Sequence, residues 1–186
     1  SGHLTTKFGV HANRFKRDHT RDLVNGPRDY ENHGIKGEAN AFAKASWDRD
    51  RLHLYGDAQI RYTDFQYEGD VEIDPIHWTF FNPKAGVRYD WSDRSSVYAS
   101  AGLSTREPSR TDMFLGEDNP TVAHDLTAVR PERLFNIEAG ADFQSATLSV
   151  EANLYLMEFR NEIAATGELS EVGLPMRRNV DRSYRG

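Results

Sequence analysis

Apolar and polar residues alternate along most of this chain, and in seven stretches the apolar side carries no charge. The clearest runs from 52 to 63. Leu52, Leu54, Gly56, Ala58, Ile60 and Tyr62 fall on one side, and His53, Tyr55, Asp57, Gln59, Arg61 and Thr63 on the other. Successive side chains of a strand point to opposite faces, so a period of two predicts a strand with one apolar and one wet face. Residues 4–13 repeat the pattern with Leu4, Phe8, Val10 and Ala12, and 35–47 with Ile35, Ala39, Ala41, Ala43, Ala45 and Trp47. Four further strands are predicted from Phe81 to Trp91, Val97 to Leu103, Phe135 to Phe143 and Leu148 to Leu156, and an eighth from Asn179 onward. No stretch has the period of a helix. Pro83 is awkward inside a ladder and predicts a strand start or a bulge.

Length separates two kinds of sheet. Strands of soluble sheets are commonly about 5–6 residues, whereas a tilted strand that crosses a bilayer needs roughly 9–11. The longer runs here reach the second range. The connections alternate as well: short after even strands, as at Asp48-Arg49-Asp50 and Ser92-Asp93-Arg94, and long and polar after odd ones. The longest spans 105–133, and 161–177 reads as a further loop. In outer-membrane barrels short turns face the periplasm and long loops face outside. Aromatic residues near the expected strand ends (Trp47, Tyr62, Phe81, Tyr89, Trp91, Phe135, Phe143) suit the girdles of such a barrel.

Alternation alone does not say which face is inside. A self-contained, eight-stranded soluble barrel of the lipocalin type would turn its apolar side inward to hold an apolar ligand. Side-chain volume favours the opposite orientation. The apolar side is rich in alanine (Ala39, Ala41, Ala43, Ala45, Ala99, Ala101, Ala139, Ala141), and a packed core needs volume to avoid voids. Fluid hydrocarbon fills in around alanine. The expectation is therefore an all-β, antiparallel, up-and-down transmembrane barrel segment with its ionised side toward a wet lumen.

Composition fits that reading. Charged residues make up 28% of 186, and the mean hydropathy of −0.72 excludes a helical membrane protein but not a barrel, whose hydrophobicity sits in alternate positions. A net charge of −6 gives no basic footprint for nucleic acid. The absence of cysteine excludes disulfides and thiolate metal sites. Both ends fall within strand pattern, so residues 1–186 are expected to be part of a longer barrel domain without signal peptide or final strands.

Two groups of residues could carry chemistry. Arg106, Glu107, Arg110 and Asp112, with Arg130 and Glu132, bracket the longest connection. Arginine forks match carboxylates, so these residues could bind an anionic or chelate ligand, or could tie the loop to the lumen wall. His19, Glu31 and His33 could meet on one loop, although no zinc spacing is present. No serine is placed with a histidine in a recognisable catalytic order, so no enzyme, cofactor or resident metal is expected.

Several stretches resemble one family. Phe80-Phe81-Asn82-Pro83-Lys84-Ala85-Gly86-Val87-Arg88-Tyr89, Val97-Tyr98-Ala99-Ser100 and Arg106-Glu107-Pro108-Ser109-Arg110 with Asp112 are similar to the barrel of TonB-dependent outer-membrane receptors. So are Arg130-Pro131-Glu132, Asn136-Ile137-Glu138-Ala139-Gly140 and Leu154 through Ile163. Thr166-Gly167-Glu168-Leu169, Val172-Gly173-Leu174-Pro175 and Asn179-Val180 are similar to Bacteroidetes-type members in particular. The resemblance implies a barrel of about 22 strands around a plug, in the outer membrane of a Gram-negative bacterium. It implies import of a scarce nutrient, most often a ferric siderophore or other iron chelate, with energy supplied by TonB through the plug. The plug and the closing strand have no counterpart in these residues.

Overall fold

The computed structural model describes residues 2–170 and 173–186. Its eight strands are β1 (His3–Asp22), β2 (Arg28–Arg49), β3 (Leu52–Glu68), β4 (Ile76–Ser92), β5 (Ser95–Arg106), β6 (Glu132–Gln144), β7 (Ser149–Leu169) and β8 (Pro175–Arg185). One four-residue helix, α1 (Arg110–Met113), lies between β5 and β6. Each strand pairs antiparallel with its sequence neighbours in the order β1 to β8, and the first and last do not pair with each other. The sheet is therefore an open meander. That disfavours the self-contained eight-stranded barrel, which requires the two edges to meet.

The strands outrun their apolar alternation. β1 extends nine residues beyond Asn13 to Asp22, β3 continues to Glu68, and β7 continues to Leu169. The segment expected as a polar connection at 14–34 is largely strand, the one expected from 64 to about Trp78 is strand at 64–68 and again from Ile76, and most of 161–177 is strand among the described residues. Val172, within the last of the resembling stretches, lies outside the described residues. The reason for the longer strands is an inversion of polarity. In β3 the outward residues from Leu52 to Tyr62 are apolar, but beyond them Asp64, Gln66 and Glu68 face outward while Phe65 and Tyr67 are buried on the inner side. β4 mirrors this: Trp78 and Phe80 lie inward, whereas Phe81, Val87, Tyr89 and Trp91 lie outward. The alternation persists, but its apolar side changes face.

Along the lower part of the sheet the alanines are outward rather than central. Ala39, Ala41, Ala43, Ala45, Ala99, Ala139 and Ala141 are exposed on one face with Phe8 (86% exposed), Val10 and Leu154. From Leu52 to Tyr62 the band covers about 33 Å of strand, and a tilt near 40° brings this to about 25 Å, the height of a barrel's hydrocarbon zone. On the inner face, aromatic rings lie over glycines on the neighbouring strand. Tyr55 covers Gly86 and Tyr98 covers Gly140, so closely that a Cβ at either glycine would stand 2.4 or 2.5 Å from a ring carbon. Large side chains thus lie flat against the wall, leaving the interior open.

Pro83 lies within β4, opposite Ala58 of β3. The β4–β5 ladder ends at Lys84, next to the residue that has no N–H to offer. Asn82 supplies a substitute: its Oδ1 accepts from the Thr105 N–H at 2.9 Å and from the Thr105 hydroxyl at 2.7 Å.

Candidate binding site at the mouth of the wall

The connection from Glu107 to Pro131 folds back over the inner face of the strand extensions. Its entry is set locally. Ser109 caps α1, its hydroxyl accepting from the Asp112 N–H while the Asp112 carboxylate accepts from the Ser109 N–H. The helix stops at once, because Leu115 and Gly116 take left-handed conformations and the Gly116 N–H donates to the Thr111 carbonyl at 2.8 Å. This turn drives Phe114 into a cluster with Phe65, Tyr67, Ile73, Met113 and Leu126. Phe114 is fully buried, with its ring edge-on to Phe65 and Tyr67 at centroid distances of 6.0 and 5.3 Å.

Two ionic groups pin the connection to the wall. Glu107, 6% exposed, receives the Lys36 ammonium at 2.5 Å and the Arg61 guanidinium, which also reaches Glu38 at 3.2 Å. Burial works against the Glu107 anion, but Lys36 and Arg61 outweigh it and hold its carboxyl below the usual carboxylate range. The second group centres on Asp118, whose carboxylate meets Arg110 at 3.4 Å, His19 at 2.9 Å and the Tyr30 hydroxyl. Arg110 also donates to Asn32 Oδ1 at 2.9 Å and to the Asp118 carbonyl at 2.6 Å, and fully buried Asn32 donates to that same carbonyl. Burial again opposes the Asp118 anion, and Tyr30, His19 and Arg110 hold its pKa down. Burial lowers Arg110 from its ordinary value, partly offset by Asp118.

The expected site residues divide into two sets. Glu107, Arg110 and Asp112 are engaged with the wall or the helix cap, as a tether would be. Arg106, Arg130 and Glu132 lie at the rim: Arg106 pairs with Glu132 at 3.5 Å across β5 and β6, while Arg130 meets Asp181 of β8 at 3.4 Å. A polar cleft of about 310 Å³ lies instead beside the Asp118 anchor, lined by Arg21, Asp29, Tyr30, Glu117, Asp118, Asn119 and Thr121, and none of the three rim residues lines it. Sequence reading did not find Asn32 or Asp118 as partners of Arg110, since those contacts join positions 78 and eight residues apart with no local motif. The Ser109–Asp112 capping pattern was the one readable local signal. His19 and His33 do not share an ion, because His19 faces inward to Asp118 and His33 faces outward to Asp18.

An apolar outer band, a hydrated inner wall and one inward-folded connection define the wall of a large transmembrane β-barrel. Residues 1–185 match the family described as TonB dependent receptor-like, beta-barrel, and the chain belongs to that family. Solved structures agree on the fold. The copper transporter OprC superposes with a TM-score of 0.76 at 17% identity, over 96% of this chain and 31% of that one. The ferric yersiniabactin uptake receptor FyuA from Yersinia pestis gives 0.59 at 16% identity, over 86% and 26%. The FrpB iron transporter from Neisseria meningitidis gives 0.59 at 16%, over 82% and 23%. The chain thus spans less than a third of each of these structures. No curated protein matches the sequence.

Proposed function

We propose that this chain is a wall segment of an outer-membrane receptor that captures a scarce nutrient, an iron chelate by preference, and imports it with TonB-coupled energy. The supporting observation is the connection 107–131 seated in the mouth of the wall, with Glu107 and Arg110 as anchors and Arg106 and Arg130 left half-exposed at its rim. On this reading the anchors hold the loop and the rim arginines meet the carboxylates or catecholates of an anionic chelate. Glu132 orients Arg106, and Asp112 fixes the turn that carries Arg110. The chemistry is binding and gated passage, with no bond made or broken in the cargo. Structural neighbours named for ferric-chelate and iron transport support the preference, while the copper transporter among them makes copper the main competing cargo.

The test is uptake of radiolabelled iron, presented as ferric chelates, by cells carrying the full receptor. The expected result is uptake that stops when the proton gradient is collapsed and falls severalfold in an Arg106→Ala/Arg130→Ala variant. Energy-dependent uptake of labelled copper with no uptake of the iron chelates would overturn the cargo. Iron uptake indifferent to the proton gradient would overturn the coupling.

A further inference from the structure

Above the apolar band the outward charges are distributed unevenly. On β1–β3 basic groups are interleaved with acids and neutral acceptors: Lys16 pairs with Glu68 at 3.3 Å, Asp18 meets the His33 ring at 2.8 Å, and Arg14 donates to the neutral Gln66. On β6–β8 the register sets Arg133 opposite Arg160 and Arg160 opposite Arg182. Arg133 shares its face with outward Phe135 and Ile137, and Arg160 with Leu154 and Leu156, so the three guanidinium groups form one lateral row on the lipid side. Like charges directly opposite on neighbouring strands destabilise a sheet unless something compensates them. Glu158 compensates in part, meeting Arg160 at 2.8 Å and Arg182 at 3.3 Å. Among the described residues Arg133 has no ion-pair partner.

The depth of the row indicates what could supply the missing negative charge. One step toward the hydrocarbon the lateral row is Phe135, Glu158 and Tyr184, and the next brings Ile137 opposite Leu156. The arginines therefore stand where the apolar band gives way to the headgroup layer, with aromatic rings just beneath them, as at a barrel interface. Planar guanidinium forks match phosphate oxygens two at a time. Arg160 and Arg182 are half-exposed despite their contacts with Glu158, leaving N–H groups free toward the membrane side. A further strand pairing with β8 would add backbone bonds at its edge without turning Arg182 away from that face.

We propose that the Arg133–Arg160–Arg182 row binds the phosphate group of an outer-leaflet phosphoglycolipid, whose acyl chains lie along the Phe135, Ile137, Leu154 and Leu156 surface. It is a lipid site on the outer wall, separate from the cargo site in the mouth. The test uses the full receptor purified in neutral detergent and titrated with micelles doped with diphosphorylated lipid A, or with the same lipid stripped of phosphate, read by native mass spectrometry. The expected result is binding of the phosphorylated lipid, loss of roughly tenfold or more in affinity in an Arg133→Gln/Arg160→Gln/Arg182→Gln variant, and no change in an Arg14→Gln/Lys16→Gln control. All five positions are surface-exposed, and the triple substitution removes like-charge repulsion, so the variants are expected to fold. Equal binding of the dephosphorylated lipid, an undiminished affinity in the triple variant, or the same loss in the control would overturn the proposal. Cargo uptake by the triple variant is expected to match the parent receptor, which separates a failure here from a failure of the transport reading.

Discussion

The lower and upper parts of the same strands obey one alternation with opposite results. Below, outward residues such as Phe8, Ala41, Ile60 and Val87 meet hydrocarbon, and inward ones such as Lys44, Asp57 and Lys84 meet water. Above, outward residues are Lys16, Asp64 and Glu68, and inward ones are Phe65, Tyr67 and Trp78, covered by the 107–131 connection. The solvent has changed sides. In the membrane zone the only apolar medium is outside the wall. Past the headgroups the protein must supply its own, and it does so with Phe114, Met113 and Leu126. The point where the apolar parity switches, between Tyr62 and Phe65 on β3 and at Phe80–Phe81 on β4, marks the membrane surface in the chain.

This contrast can be broken most sharply from above. Phe114→Ala empties the centre of the upper cluster and should cost about 3–5 kcal/mol of loop docking. The expected outcome is rapid hydrogen exchange over 107–131 with exchange in the lower strands unchanged. Protection retained in the loop would mean that the cluster does not hold it.

From below, Ala43→Arg places a charge on the lipid face near mid-band, at about 2–4 kcal/mol when the receptor refolds from urea into vesicles. Gln66→Arg, also outward but above the switch, should stay within about 0.5 kcal/mol. Comparable costs at the two sites would erase the distinction between the zones.

A smaller effect is expected at the ionic anchors. Glu107→Gln removes the anion shared by Lys36 and Arg61 and should weaken docking by about 2 kcal/mol, read by protease nicking within 107–131. Acid should act in the same direction. The Glu107 and Asp118 carboxyls titrate below their ordinary range, so their contribution is complete above that range and is lost as pH falls through the depressed values. Nicking should thus rise below about pH 4, where carboxylates normally protonate. Acceleration on raising the pH from neutral would contradict the assignment.

Much of the lower zone was legible in the sequence. The band residues of β2 and β3 announce themselves by alternation, and Ala39 through Ala45 already argued for lipid rather than a packed core. The longest connection, expected at 105–133, is found at 107–131. The upper zone was misread as loop because its outward residues, Arg14, Lys16, Asp64 and Glu68, are charged and its inward ones include Phe65 and Tyr67. A search for one apolar face ends where that face turns polar, although the strand does not. The end of β7 and the start of β8 were hidden for a related reason: there is no apolar face at Thr166 or Arg178 to read, and the two strands are joined there by ladder pairs such as Ala164 with Arg178 and by the Thr166 hydroxyl donating to the Met176 carbonyl.

By itself the sequence determined the period, and with it a sheet whose lower face is built for hydrocarbon, because each strand records its own alternation locally. Only the tertiary structure decided which way the 107–131 connection folds, that Glu107 answers Lys36 and Arg61, and that Arg133, Arg160 and Arg182 stand side by side. Those relations join residues tens of positions apart. They exist only once the register of each ladder is fixed, and that register is set by neighbouring strands acting together.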